Sequence, residues 1–193
     1  MARYIFLDVD GVLANWRSQN MTNADRVLDG ELVYHEDGAD AAPPLERRCV
    51  ANLAWLAGEA GGAAVILSST WRGDAALTEF LKKALDTHAL PVAGATLSID
   101  GVEGRGGEIL AFLKANAAAE ACVIVDDEHA RSFESCGLTR RLVRTKMASE
   151  DHLPGADGLR FDPGAGLDRA AAEAALRVLR RPLDAAERRA LLR

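Results

Sequence analysis

Apolar runs alternate with segments of helical spacing along most of the chain. Short aliphatic runs predict four strands, at 3–9, 63–67, 121–125 and 141–144. Apolar positions at helical spacing predict helices between them, at 45–60, 74–88 and 106–118. The first three strands are continuous apolar runs, which is typical of strands buried on both faces of a sheet. This order predicts an α/β protein with a Rossmann-like parallel sheet and helices on both faces.

One early segment departs from this alternation. Residues 15–44 are polar and rich in Gly and Asp. Within them, Asp29-Gly30 favours a hairpin turn through Arg26–His35, because such turns require positive φ angles. We expect this segment to form a flap or small cap insertion over the end of the first strand.

The end of the chain changes character as well. Residues 149–166 have the composition of a loop, with prolines and glycines. Helices are then predicted at 167–181 and 183–193, and Pro182 interrupts them. We predict a single domain over 1–193 that ends in this helical segment.

Length and composition agree with one domain. The chain has 193 residues, 49% of them hydrophobic but only 5% aromatic, so a second domain of ordinary size would not fit. No stretch reaches the roughly 18–20 apolar residues of a membrane span. Asp8 and Asp10 interrupt the N-terminal apolar run, where a signal peptide would not tolerate charge. We therefore expect a cytoplasmic protein with no membrane partner.

The cysteines do not indicate a disulfide framework or a zinc site. Cys49, Cys122 and Cys136 are odd in number and lack CxxC spacing. We predict that they are small buried side chains.

Charge is unevenly distributed along the chain. The formal net charge is −6, yet residues 1–139 hold 11 basic and 21 acidic side chains, whereas 140–193 hold 12 basic and 8 acidic ones. The basic tail is compatible with a phosphate-rich partner or with a solvated helix face.

Carboxylates follow two of the predicted strands. Asp8 and Asp10 come at and just after the end of the first strand, and Asp126 and Asp127 follow the strand at 121–125. The carboxyl ends of parallel strands form the crevice in which ligands bind. If these strands are neighbours, the four carboxylates converge and repel one another unless a cation is present. Oxygen-only ligation is what Mg²⁺ prefers, so we predict a magnesium site.

Hydroxyl and cationic side chains follow the strand at 63–67. Ser68, Ser69 and Thr70 occupy a strand-to-helix turn suited to phosphate oxygens, and Arg72 adds a possible bidentate contact. Arg105 opens the helix that leads into the strand at 121–125. The plainer interpretation is structural, because Asp-Gly pairs favour turns and Ser, Thr and Asp cap helices.

In their order and spacing these residues resemble the four motifs of the haloacid dehalogenase (HAD) superfamily, whose members are mostly phosphohydrolases. The residues that carry the resemblance are DVDGV at 8–12, Ser68, Arg105 and Asp126-Asp127. The chain looks most similar to the HAD domain of Swiss Army Knife RNA repair proteins. Three short features suggest that branch: SSTWR at 68–72, Asp126-Asp127-Glu128 and Gly166-Leu167. The resemblance spans about residues 3–180.

The resemblance implies a role for each motif. Asp8 would be the nucleophile that forms an aspartyl-phosphate, and Asp10 would be the general acid and base. Asp8, the Asp10 carbonyl, Asp126 and Asp127 would hold Mg²⁺. Ser68 and Arg105 would bind the phosphoryl oxygens. Arg105 departs from the pattern, since superfamily members usually have lysine there and the fork geometry of arginine differs from a point charge.

The predicted function is a magnesium-dependent phosphomonoesterase with a mostly open site. Its partner would be a phosphorylated small molecule, a nucleotide or a nucleic-acid end. Asn15, Trp16 and Arg17, in the polar segment, are candidate substrate contacts together with Ser69, Thr70 and Arg72. Two alternatives use similar residues, namely a phospho-acceptor signalling domain and an inactive HAD-fold module that binds phospholigands. The first motif DxDG and the lack of a suitably placed lysine argue against a signalling domain.

Overall fold

A computed structural model describes residues 2–19, 33–34, 43–99, 104–128, 131–148 and 164–191. The strands are β1 (Ala2–Leu7), β2 (Val33–Tyr34), β3 (Leu45–Glu46), β4 (Ala64–Leu67), β5 (Val92–Ala95), β6 (Ala119–Asp126) and β7 (Leu142–Arg144). The helices are α1 (Trp16–Gln19), α2 (Arg47–Glu59), α3 (Ala75–Asp86), α4 (Gly104–Ala115), α5 (Arg131–Glu134), α6 (Arg169–Leu179) and α7 (Ala185–Leu191). Short 3-10 turns occur at Thr70–Gly73 and Thr139–Arg141.

A five-stranded sheet in the order β5-β4-β1-β6-β7 lies at the centre of the described structure. All of its strand pairs are parallel. Strand β1 is central, and its last residue Leu7 lies beside Leu67 of β4 and Val125 of β6. The residues that follow these three strands therefore meet at one edge of the sheet.

Alternate residues of the central strands supply two hydrophobic layers, because successive side chains of a strand point to opposite faces. On one face, Ile5 and Leu7 pack with residues of α2, α3 and α6. On the other face, Phe6 packs with Ile109 of α4 and Phe133 of α5. The predicted α/β fold with helices on both faces is confirmed. Among the described helices, none has the length and apolar character needed to cross a membrane.

Two parts of the topology differ from the sequence prediction. Strand β5 was missed, because its sequence VAGA lacks large β-branched residues and its side chains are alternately half-buried and exposed. Val33–Tyr34 pair antiparallel with Leu45–Glu46, so the segment 45–60 begins as a strand before its helix. The rest of the predicted hairpin at 26–35 lies outside the described residues.

The C-terminal helices are fixed to the sheet by a buried arginine. Arg141 is 4% exposed, and its Nε donates to Oε1 of Glu187 at 2.7 Å. Its Nη1 donates to the Arg181 carbonyl at 2.7 Å. A buried guanidinium with this many acceptors specifies where the chain turns between α6 and α7.

The cysteines differ in their burial, which predicts their reactivity. Cys49 and Cys122 are fully buried, and desolvation raises the pKa of each thiol to about 12. Since the thiolate is the reactive species, we expect these two to resist alkylation at neutral pH. Iodoacetamide should label Cys136, which is half-buried, in the native protein. It should label all three cysteines when the protein is unfolded in denaturant. Rapid native labelling of Cys49 or Cys122 would contradict the structure.

Candidate active site

The functional side chains meet at the carboxyl edge of the sheet because the ends of β4, β1 and β6 are in register. The main-chain N–H of Asp8 donates to the Val125 carbonyl at 3.0 Å, and that of Ser68 donates to the Leu7 carbonyl at 2.8 Å. These bonds continue the ladder one step beyond β1 and β4. Asp8, Ser68 and Asp126 therefore lie side by side, and the strands that precede Asp8 and Asp126 are neighbours.

Three carboxylates form a cluster at this edge. Asp8, Asp126 and Asp127 each offer an oxygen, and these atoms all lie within 4.8 Å of one another. Asp8 is 3% exposed and Asp126 is fully buried. Oxygen donors this close, in a partly buried setting, match the ligands that Mg²⁺ takes.

Gly11 makes room for this cluster. Its φ is +71°, and a Cβ atom there would overlap the Asp127 carboxylate. The turn around it is closed by main-chain bonds from Leu13 and Ala14 to the Val9 carbonyl, at 2.8 and 3.0 Å. The glycine of the DxDG motif is thus required for its backbone angle and for its lack of a side chain.

Arg105 is the cation that the carboxylates share. Its Nη1 lies 2.7 Å from Oδ1 of Asp8 and 2.7 Å from Oδ2 of Asp126. Its Nε lies 3.8 Å from Glu128. The predicted third-motif cation therefore reaches the site from the first turn of α4.

Burial and neighbouring charges both shift the pKa values of Asp8 and Asp127, and of these only the Arg105 charge acts to lower them. Desolvation raises the pKa of Asp8 to about 7, although the neighbouring Arg105 acts to lower it and Asp126 acts to raise it. Desolvation, together with the Asp126 charge, also raises the pKa of Asp127. These carboxylates are therefore poised to gain from an added cation.

The Asp10 carboxylate is not a member of this cluster, so three of the four expected carboxylates converge. Two donors hold it instead. Gln19 Nε2 donates to its Oδ1 at 2.7 Å, and Trp71 Nε1 donates to its Oδ2 at 3.0 Å. Trp71 is 3% exposed and packs against Phe80, so its ring belongs to the core while its indole N–H reaches Asp10. Gln19 carried no sequence signal, because its link to Asp10 depends on how the loop folds.

Two serines after β4 have different environments. The Ser68 side chain is fully buried, and its hydroxyl has no hydrogen-bond partner among the described residues. The Ser69 side chain hydrogen-bonds to Asp8, and its Oγ accepts from the Trp71 N–H at 3.3 Å. Thr70 is exposed and begins the 3-10 turn. Ser68 thus has unused hydrogen-bonding capacity beside the nucleophile candidate.

Arg72, a candidate substrate contact, has structural partners. Its Nη1 donates to the Ser69 carbonyl at 2.7 Å and to the Ser68 carbonyl at 3.1 Å. Its Nη2 pairs with Glu108 at 2.7 Å. Glu108 belongs to the same helix as Arg105, so Arg72 connects the serine turn to that helix. We assign Arg72 a positioning role, which its sequence alone did not reveal.

The three candidates in the polar segment lie at the start of α1. Asn15 is 1% exposed, and its Oδ1 accepts from the Ser18 N–H at 3.0 Å. It therefore caps α1 instead of facing a ligand. Trp16 is half-buried, and its main-chain N–H donates to the Met147 carbonyl at 2.9 Å. Arg17 belongs to α1, and its side chain lies outside the described part.

The loop of the DxDG motif is also supported by the start of the C-terminal segment. The N–H of Leu167 donates to the Val12 carbonyl at 2.7 Å, and that of Gly166 donates to the Lys146 carbonyl at 2.8 Å. A Cβ at Gly166 would lie 2.6 Å from the Val12 oxygen. These contacts attach the start of the C-terminal segment to the DxDG loop.

Replacing Gly11 with alanine should weaken metal binding. Gly11→Ala forces the Asp127 carboxylate to move, so we expect at least a tenfold loss of Mg²⁺ affinity by titration calorimetry. Gly137→Ala is the matched control, because Gly137 has a similar φ of +69° but open space around it. Both variants carry the same backbone strain, and equal Mg²⁺ affinities would contradict the arrangement.

Replacing Arg105 should leave the buried carboxylates without their shared cation. We expect Arg105→Gln to lower the metal-free unfolding free energy by about 3 kcal/mol. Magnesium should then raise the melting temperature more in this variant than in the parent protein. Arg180→Gln is the control, since Arg180 pairs with Glu59 at the exposed surface, where such pairs contribute at most about 1 kcal/mol. Equal magnesium responses in the parent and Arg105→Gln would refute the shared-cation role.

Comparison with known proteins agrees with the resemblance that the site residues indicate. Residues 4–150 match the family described as the HAD domain in Swiss Army Knife RNA repair proteins. Searches of curated proteins and of solved structures gave no match. The matched range contains the carboxylate cluster, Arg105 and the serine turn. The chain belongs to this family of HAD domains.

Proposed function

We propose that the protein is a magnesium-dependent phosphomonoesterase that acts through an aspartyl-phosphate on Asp8. HAD domains are generally hydrolases and phosphatases. The observation that best supports the proposal is the carboxylate cluster of Asp8, Asp126 and Asp127 with Arg105 bonded to two of its members. Phosphate-monoester hydrolysis is among the slowest uncatalysed reactions, so a nucleophile and fixed cationic groups must act together.

The donor set fits magnesium. Asp8, Asp126 and Asp127 would hold the ion through carboxylate oxygens, and the Asp10 carbonyl is a further candidate ligand. When bound, the cation would neutralise charge on the transferring phosphoryl group. The raised pKa of Asp8 reflects burial without such a cation.

Asp8 and its neighbours perform the first step. An oxygen of Asp8 attacks phosphorus, and the bond between phosphorus and the leaving-group oxygen breaks. The unpartnered Ser68 hydroxyl donates to a phosphoryl oxygen, and Arg105 neutralises the phosphoryl charge. Ser69 orients Asp8 through its hydrogen bond. The step forms one P–O bond and breaks one, which is the logic of covalent catalysis.

Asp10 moves the protons. It protonates the leaving-group oxygen in the first step. It then takes a proton from the water that attacks the phosphoryl group on Asp8, and inorganic phosphate and free Asp8 result. Gln19 and Trp71 fix the Asp10 carboxylate during both transfers. A positioned general acid and base contributes about 10²–10⁴ in rate.

The substrate is a phosphorylated molecule, and a nucleic-acid end is the macromolecular candidate that the family description suggests. Trp16 and Thr70 remain candidate substrate contacts, and so does Arg17. A cytoplasmic location stays a prediction from the sequence.

Substitution of the nucleophile tests the proposal. Asp8→Asn should lower magnesium-dependent phosphate release at least about 10³-fold, because the amide cannot form the intermediate. The screen covers nucleotides, sugar phosphates and oligonucleotides phosphorylated at either end. Asp86→Asn, an exposed change at the end of α3, is the control and should retain parental rates.

Two outcomes would overturn this function. Undiminished turnover by Asp8→Asn would exclude Asp8 as the nucleophile. A parent protein that becomes stably phosphorylated without releasing phosphate would instead be a phospho-acceptor domain, and one that binds metal but releases no phosphate would be an inactive binding module.

A further inference from the structure

A second, basic cavity adjoins the carboxylate cluster at the end of β7. It has a volume of about 480 Å³, and its described lining residues are Asp127, Arg144, Thr145, Lys146, Met147 and Ala148. Asp127 belongs to both the cavity and the cluster. A ligand in this cavity would therefore touch the candidate active site.

Pairing between β6 and β7 sets the distance between the cavity and the carboxylate cluster. Arg144 is the register partner of Asp126 across β6 and β7, and neighbouring strands lie about 4.8 Å apart. Arg144 Nε donates to the Asp127 carbonyl at 3.1 Å, and the Thr145 N–H donates to the Asp126 carbonyl at 3.0 Å. Residues 144–146 thus run along the edge of the carboxylate cluster, one strand away.

The exposure of these residues alternates. Arg144 and Lys146 are exposed, whereas Thr145 between them is 3% exposed. In an extended chain, side chains two positions apart lie on one face, about 6–7 Å from each other. The Thr145 hydroxyl has no partner among the described residues. The two cationic side chains of Arg144 and Lys146 therefore lie on the exposed face of this segment, beside the carboxylate cluster.

The positive charge of Arg144 and Lys146 is not needed for the proposed hydrolysis itself. Arg105 already pairs with Asp8 and Asp126, and the acidic cluster repels any anion that approaches without a cation. Arg144 and Lys146 belong to residues 140–193, where basic side chains outnumber acidic ones. Cations in such a position favour a negatively charged group next to the one being transferred.

We propose that Arg144 and Lys146 form a subsite for a second phosphate group of the substrate, adjacent to the phosphate that is hydrolysed. This proposal rests on the proposed phosphomonoesterase function. Both a nucleoside bisphosphate and the backbone of a single-stranded oligonucleotide supply such a phosphate. Met147 and Ala148 give the cavity an apolar part, and the Trp16 N–H bond to the Met147 carbonyl joins it to α1.

The experiment compares substrates with one and with two or more phosphates. The probes are a nucleoside monophosphate, a nucleoside 3′,5′-bisphosphate and a hexanucleotide phosphorylated at either end. We expect the parent protein to have at least tenfold higher kcat/KM for the bisphosphate or the hexanucleotide than for the monophosphate. Lys146→Gln and Arg144→Gln should each lower that ratio about fivefold, mainly through KM. Lys82→Gln, an exposed lysine of α3, should leave the ratio unchanged.

Salt dependence separates the two sources of the second phosphate. If the oligonucleotide backbone is bound, the hexanucleotide should show a steeper dependence of log KM on log salt than the bisphosphate. Each variant should reduce that slope by about 0.7, the value for one phosphate contact on a single strand. If kcat/KM relative to the monophosphate is the same for the bisphosphate and the hexanucleotide, the subsite is assigned to a bisphosphate.

Binding is measured separately from turnover. Fluorescence anisotropy of a labelled hexanucleotide phosphate is recorded with Asp8→Asn, in the presence and absence of Lys146→Gln. A parent protein that hydrolyses the monophosphate with no preference for a second phosphate would overturn the subsite alone. If the parent protein hydrolyses none of the substrates but binding still depends on Lys146, the proposed function is overturned and the subsite is retained as a binding site. Binding that is independent of Lys146 would overturn the subsite in either case.

Discussion

Repulsion between carboxylates at the ends of two adjacent buried strands is the constraint on which this edge of the molecule depends. Parallel pairing of β1 and β6 places Asp8 beside Asp126, and the turn after β6 adds Asp127. Like charges in a buried setting cost free energy unless they are neutralised. The shared guanidinium of Arg105 offsets part of that cost. The pKa of Asp8 is nevertheless raised, chiefly by desolvation and in addition by the Asp126 charge. A bound divalent cation would offset the rest of that cost, so the same arrangement that destabilises the metal-free protein favours metal binding.

The surrounding contacts keep these groups from moving apart. Arg72 joins the serine turn to Glu108 on the helix that carries Arg105. The C-terminal segment, which lies outside the range matched to the family, holds the DxDG loop through the bond from Leu167 to Val12. The site is therefore positioned from both faces of the sheet. A substitution that removes one of these contacts should displace the catalytic side chains without replacing any of them.

The sequence predicted the parts of the site that depend on strand ends. Continuous apolar runs marked the central strands, and acids directly after them predicted the carboxylate cluster. Residues whose role depends on loop geometry were harder to interpret. Gln19 and Trp71 reach Asp10 only because a tight turn brings their elements together, and Arg72 and Asn15 were expected at a ligand but have protein partners. Strand β5 was missed because Ala and Gly carry no strand signal.

Detection of a phosphoryl group on Asp8 is the decisive test of its role as the nucleophile. The protein and magnesium are mixed with a substrate that the protein hydrolyses and that carries a labelled phosphate. The reaction is quenched in acid within a single turnover, and the peptides of the protein are then mapped. We expect an acid-stable, alkali-labile label on the peptide that contains Asp8, at a level that rises and then decays as phosphate is released. Burst-free release with no label on that peptide, or a label on another residue, would contradict that role.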